Sequence, residues 1–167
     1  MDRAVTAIQN NEVDGFTYDA ETERATKVID ENTTLEIWLA SERSRIYWLN
    51  LYTERSAESY RCDSQYMITV PGYNLVSAEF MSTHRIYDAD DKLVDFFFGS
   101  FLDSDQEPVF NHQELVSVGD NKGERDEAYP DFDAIYNTDD IRQFNYLINL
   151  TNASFSSAGL PLFYGEE

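Results

Sequence analysis

From residue 24 to residue 101 apolar and polar positions alternate, the period of half-buried strands. TTLEIWLA (33–40) is the clearest case: Leu35, Ile37 and Leu39 fall on one side, Glu36 and Trp38 on the other. RATKVID (24–30), RIYWLNLYTE (45–54), YMITV (66–70), LVSAEFMSTHRIYD (75–88) and KLVDFFFGSF (92–101) are further strand candidates. SERS (41–44) and DADDK (88–92) have the length of hairpin connections, and Pro71-Gly72 stops the 66–70 segment. In the 92–101 run, Val94, Phe96 and Phe98 share one face while Leu93, Asp95 and Phe97 share the other, which predicts cover on both sides.

Two stretches carry helical spacing instead. Residues 2–10 place Ala4, Val5 and Ile8 together, with Asp2 as N-cap and Gly15 ending the turn that follows. Residues 141–150 place Ile141, Phe144, Leu147 and Ile148 in one stripe. Thr138 is the expected N-cap there, with Asp139 and Asp140 in the first turn, where the helix dipole favours acids. Between them, ELVSV (114–118) reads as a short strand and 119–131 as an exposed loop; Leu160, Leu162, Phe163 and Tyr164 give the tail a docking surface. The pattern predicts one α+β domain over 1–167. It is mainly antiparallel β, a curved sheet or sandwich, with a short N-terminal helix and one C-terminal helix.

Composition agrees with a packed core: 42% of residues are hydrophobic and 14% aromatic. Charge adds more. The chain has 32 acids against 12 bases, a formal net charge of −20. Direct nucleic-acid binding needs a basic footprint, and an anionic membrane repels such a chain, so neither partner is expected. The charge is also uneven. Residues 88–140 hold sixteen acids and three bases (3 − 16 = −13), whereas the first half is an ordinary strand-forming sequence. Lysine is scarce, at Lys27, Lys92 and Lys122 only, which also fits a salt-adapted surface.

Candidate chemistry is sparse. Cys62 is the lone cysteine, so no intrachain disulfide forms; neighbouring Arg61 and Asp63 pull its thiol in opposite directions. His84 lies in a strand candidate and His112 in a loop, neither within a catalytic motif. Asp88, Asp90 and Asp91, and likewise Asp103, Asp105 and Glu107, gather oxygens as a hard cation needs. An EF-hand fails, because its last ligand position falls on Gly99. No cofactor, metal or enzymatic activity is expected. The N-terminus has no apolar core of a leader peptide, and no run is long enough to span a membrane, so a host cytoplasm or a virion is the expected location.

Two functions fit. The first is a non-enzymatic acidic protein that binds a basic partner, specifically a phage-type inhibitor that imitates nucleic-acid charge and blocks a nucleic-acid-binding enzyme. Its expected contacts are Asp88, Asp90, Asp91, Asp103, Asp105, Glu124, Asp126, Glu127, Asp131 and Asp133, with Trp38 and Trp48 as aromatic anchors. The second is a virion structural or assembly protein, from a saline host, whose partners are other subunits or further copies of itself.

Overall fold

The computed structural model describes residues 2–40, 45–69, 78–103, 114–120 and 132–160. Eight strands form one antiparallel sheet in strict chain order. They are β1 (Thr17–Asp19), β2 (Arg24–Asp30), β3 (Thr33–Ala40), β4 (Arg45–Ser56), β5 (Tyr60–Thr69), β6 (Ala78–Asp88), β7 (Leu93–Asp103) and β8 (Glu114–Asp120). Helices α1 (Asp2–Gln9) and α2 (Phe132–Ser157) pack on the same core. The expected class and the antiparallel body are thus observed. Among the described residues there is one sheet, and the layer packed on it is helical.

The period-2 pattern decides which face the helices cover. Leu35 pairs with Leu51 and Ile37 with Leu49, and the row continues through Ile68 and Phe80. All six are fully buried, and they meet Val5 and Ile8 of α1 and Phe144, Leu147, Ile148 and Phe155 of α2. Tyr66, Phe80 and Phe144 pack edge to face at 5.2–5.7 Å, a geometry that adds attraction beyond area burial. Lys27 also points to this side. It reaches Ser154 Oγ and the Asp14 carbonyl at 3.2 Å each, tying the sheet margin to α2. Gly15 sits beside it with φ +78°, a conformation that favours glycine, and an added Cβ would lie 2.9 Å from Lys27 Cε and push that flexible side chain aside.

Three expectations change. Helix α2 is 26 residues long rather than the expected twelve (139–150), and Thr138 lies inside it rather than at its cap. Strand β5 starts at Tyr60, taking in the polar run YRCDSQ. The 92–101 segment forms β7 with Asp95 buried opposite Ile86 and Phe96 exposed opposite Arg85, on opposite faces as expected, but a bulge between Ile86 and Tyr87 then shifts the pairing so that exposed Leu93 opposes Tyr87. The 41–44, 70–77, 104–113, 121–131 and 161–167 segments lie outside the described residues; with them go Pro71-Gly72, His112 and most of the docking tail.

Candidate functional site

In an up-and-down meander every second connection falls at the same end of the sheet. The β2–β3, β4–β5 and β6–β7 turns therefore fall at one end of the sheet, its rim, while β8 stops midway along β7, where Asp120 pairs with Phe97. That rim gathers Asp30, Glu31, Glu54, Glu58, Asp63, Asp88, Asp90 and Asp91 against Arg55, Arg61, Lys92 and Arg142, a described balance of 4 − 8 = −4. At the opposite end, where the β1–β2 turn, the starts of β4, β6 and β8 and the end of β7 meet, Asp19, Glu21, Glu23, Glu79, Asp103 and Glu114 stand against Arg24 and Arg45 (2 − 6 = −4), so among the described residues both ends are acidic. Adjacent turns of one rim are two strands apart, about 10 Å.

The rim acids have distinct jobs. Asp88 Oδ1 accepts the N–H groups of Asp90 and Lys92 at 3.0 Å each and so builds the β6–β7 turn, with Asp91 in a left-handed conformation at φ +63°. Asp91 accepts from Arg61 Nη1 at 2.6 Å, and Asp63 accepts from Arg61 Nε at 3.1 Å. Asp30 accepts the Asn32 N–H at 2.9 Å. Glu31, Glu58 and Asp90 are left as exposed tips. Two clefts open beside them. One, about 380 Å3, lies between α2 and the strand ends, lined by Thr53, Arg55, Arg142, Gln143 and Tyr146 among others. The other, about 310 Å3, is lined by Glu31, Asn32, Tyr52, Glu54, Asp63 and Ser64 among others.

The face of the sheet opposite the two helices carries the expected aromatic anchors, and Asn50 on it is fully buried. Trp38 pairs across strands with Trp48, rings 5.1 Å apart and edge to face, and Tyr47 lies 4.3 Å from Trp48. Arg24 sits 3.9 Å over Trp38 and Arg45 5.2 Å from the Tyr47 ring. Trp38 Nε1 donates to Glu36 at 2.8 Å. Gln65 Nε2 bridges Asn50 Oδ1 at 2.9 Å and the Tyr52 hydroxyl at 3.3 Å. Burial, reinforced by the Glu36 charge, pushes the Tyr52 phenol up to about 12, so it remains a neutral donor at physiological pH.

The structure also assembles a polar cluster for which the sequence has no local signal. On the covered face Ser64 opposes His84, and Asp140 of α2 closes over them. His84 Nε2 lies 3.1 Å from Asp140 Oδ1, Ser64 Oγ lies 2.7 Å from His84 Nδ1, and Ser82 Oγ donates to Asp140 Oδ2 at 2.7 Å. Because a carboxylate only accepts, the network assigns the proton to Nε2, leaving Nδ1 to accept the Ser64 hydroxyl. Cys62 Sγ is 3.5 Å from Ser64 Oγ. Burial raises the Cys62 thiol, against the smaller pull of Ser64 and Arg55, so it is a poor nucleophile. Serine, histidine and aspartate in line suggest acyl transfer. However, β5 is paired to β4 and β6 along its length, so the strand N–H groups beside Ser64 serve the ladders and offer no oxyanion hole. The cluster is a clasp that fixes α2 on the sheet.

Of the expected contact residues, Asp88, Asp90 and Asp91 come together at the rim, whereas Trp38 and Trp48 lie on the face opposite the helices, toward the other end. Asp103 ends β7 at that other end, and Asp133 falls in the first turn of α2. Asp105, Glu124, Asp126, Glu127 and Asp131 lie outside the described residues. Comparisons with protein-family models, curated proteins and solved structures give no match. The functional reading therefore rests on this chain's own residues.

Proposed function

We propose that this is an acidic protein-binding protein that acts by occupancy rather than turnover. Its rim enters the basic groove of a nucleic-acid-binding enzyme in place of the nucleic acid. The observation that supports this is the alignment of three hairpin ends, each tipped with acid, along one edge of a rigid sheet. Carboxylates fixed by turn geometry, such as Asp88 and Asp91, present their charge already ordered. The chain's net charge of −20 would steer a basic partner from a distance.

The test reverses only the exposed tips. A Glu31→Lys, Glu58→Lys, Asp90→Lys triple variant should keep its fold and lose ~tenfold or more in affinity for a basic-grooved nuclease, read by titration calorimetry. Glu21→Lys at the other end should change it less than ~twofold. Equal losses from both variants would reject the rim as the contact.

A second reading, a virion structural or assembly protein, is favoured by the sheet face opposite the helices. There Tyr47, Leu93 and Phe96 are exposed and Trp38 and Trp48 half-buried, the composition of an interface core.

A further inference from the structure

The sheet face opposite the helices differs from the rest of the molecule in two independent ways. The first is apolar exposure. Five large apolar side chains stand exposed among the described residues, and four of them, Val28, Tyr47, Leu93 and Phe96, lie on this face. The second is charge. By register the strands place Arg24, Arg45, Arg61 and Arg85 on it against Asp19, Glu36, Glu54, Asp63, Glu79 and Glu114 (4 − 6 = −2), out of a chain total of −20. Each of the four arginines lies over a ring of the same face. Arg24 is 3.9 Å from Trp38, Arg61 4.5 Å from Tyr87, Arg45 5.2 Å from Tyr47 and Arg85 5.8 Å from Phe96. A guanidinium on a ring gives up water more readily than a lysine ammonium does, and the described strands place no lysine here, Lys27 being opposite buried Leu35. The layer is also ordered in advance. Glu36 holds Trp38, and Gln65 bridges fully buried Asn50 and Tyr52, so little side-chain freedom is lost when the face is covered.

We propose that this face pairs with the same face of a second copy, giving a two-fold dimer in which two sheets stack and both helical layers point outward. Three features select a second copy. Repulsion between two chains of −20 is least where local charge nearly cancels, because at physiological salt charges more than about 8 Å away are largely screened. The face carries both signs, so an identical face offers arginines to its carboxylates and carboxylates to its arginines, whereas a partner of one sign would match only part of it. The area is also sufficient. Strands β3–β7 extend about 19 Å across and the eight residues of β3 about 26 Å along, roughly 500 Å2 in projection from each copy, so the pair reaches the ~1,000 Å2 scale of a specific interface. Stacked sheets lie about 10 Å apart, which leaves room for the rings of both. Such a contact is self-complementary and closes on itself, so association stops at two. The dimer is independent of the enzyme-blocking reading and rests on the assembly reading, naming its partner as a further copy of the chain.

Sedimentation velocity of the full chain across a concentration series in ~0.15 M salt should show monomer and dimer and nothing larger. Trp38 and Trp48 are the chain's two tryptophans and both lie on this face, so acrylamide quenching of their fluorescence should fall by ~twofold or more from the monomer to the dimer limit. Phe96→Glu should raise the concentration at half-dimerisation by ~tenfold or more. Leu93→Glu, at a more exposed position, gives the same loss should Phe96→Glu fail to fold, as judged by circular dichroism. Tyr146→Glu, at the exposed ring on α2, should shift it by less than ~twofold. A chain that stays monomeric up to ~1 mM would overturn the proposal while leaving other subunits as partners under the assembly reading. A dimer that ignores the Phe96 and Leu93 variants, or whose tryptophans stay equally quenched, would overturn it as well.

Discussion

At the residue scale, the buried clasp shows how one polar cluster can fix a helix. Asp140 and His84 are 2% and 4% exposed, so each depends on the other for its hydrogen bonds. Removing one member leaves a buried polar group without its partner. Asp140→Ala should cost about 3–5 kcal/mol in urea unfolding, and Ser82→Ala about 1–2 kcal/mol. A double-variant cycle between His84→Ala and Asp140→Ala should show strong coupling; additive losses would mean the clasp is not a unit. Tyr52 provides a second test at this scale. Its folded pKa of about 12 exceeds the ordinary value of 10.0, so the folded state holds its proton longer. The contribution to stability is present below pH 10 and is lost as pH rises toward 12. Tyr52→Phe should flatten that alkaline loss in thermal melts, and an unchanged alkaline profile would assign it elsewhere.

At the element scale, α2 matters most, because it supplies half of the second layer's buried side chains and the acid of the clasp. Leu147→Ala, at a fully buried position, should destabilise by about 2–5 kcal/mol. Gly159 closes the helix at φ +66°, with Leu160 N–H bonding back to the Phe155 carbonyl at 2.9 Å. Gly159→Ala has room for its Cβ, so its cost, about 1 kcal/mol, is purely conformational. Calorimetric melts of the two variants should rank in that order.

The same helix shows where sequence patterns carry and where they stop. The stripe Phe144, Leu147, Ile148 was legible and is buried as expected. The continuation TNASFSS carries little of that apolar stripe, and the expected helix stopped at residue 150. In the folded chain Thr151, Ser154 and Ser157 donate to carbonyls four residues back, at 2.9–3.0 Å, and so satisfy themselves within the helix. Strand β5 was half-legible for a related reason: Cys62, Ser64 and Gln65 are polar residues whose partners sit on other strands or on α2. Strands β3 and β4 were legible because alternate apolar residues such as Leu35, Ile37, Leu49 and Leu51 are buried. The clasp was not, because 56 residues separate His84 from Asp140 and no local spacing links them.

At the scale of the whole molecule, topology brings together acids that are distant in sequence. A meander sends alternate turns to opposite ends, so acids in the β2–β3, β4–β5 and β6–β7 turns accumulate on one rim, including Asp30, Glu31 and Glu58 from outside the 88–140 segment. The linear grouping around 88–140 was therefore only part of the surface that the fold builds. Trp38 and Trp48 belong to a different region, and the sequence had merged the two into one site.

The central claim is that the rim replaces nucleic acid in a basic groove. Its most direct test is competition: immobilised protein is loaded with a basic-grooved nuclease and challenged with duplex DNA across a salt series. The account predicts that DNA displaces the protein completely, and that binding falls by ~tenfold or more between about 0.1 and 0.5 M salt. A ternary complex, with enzyme holding DNA and this protein together at any salt concentration, would contradict it.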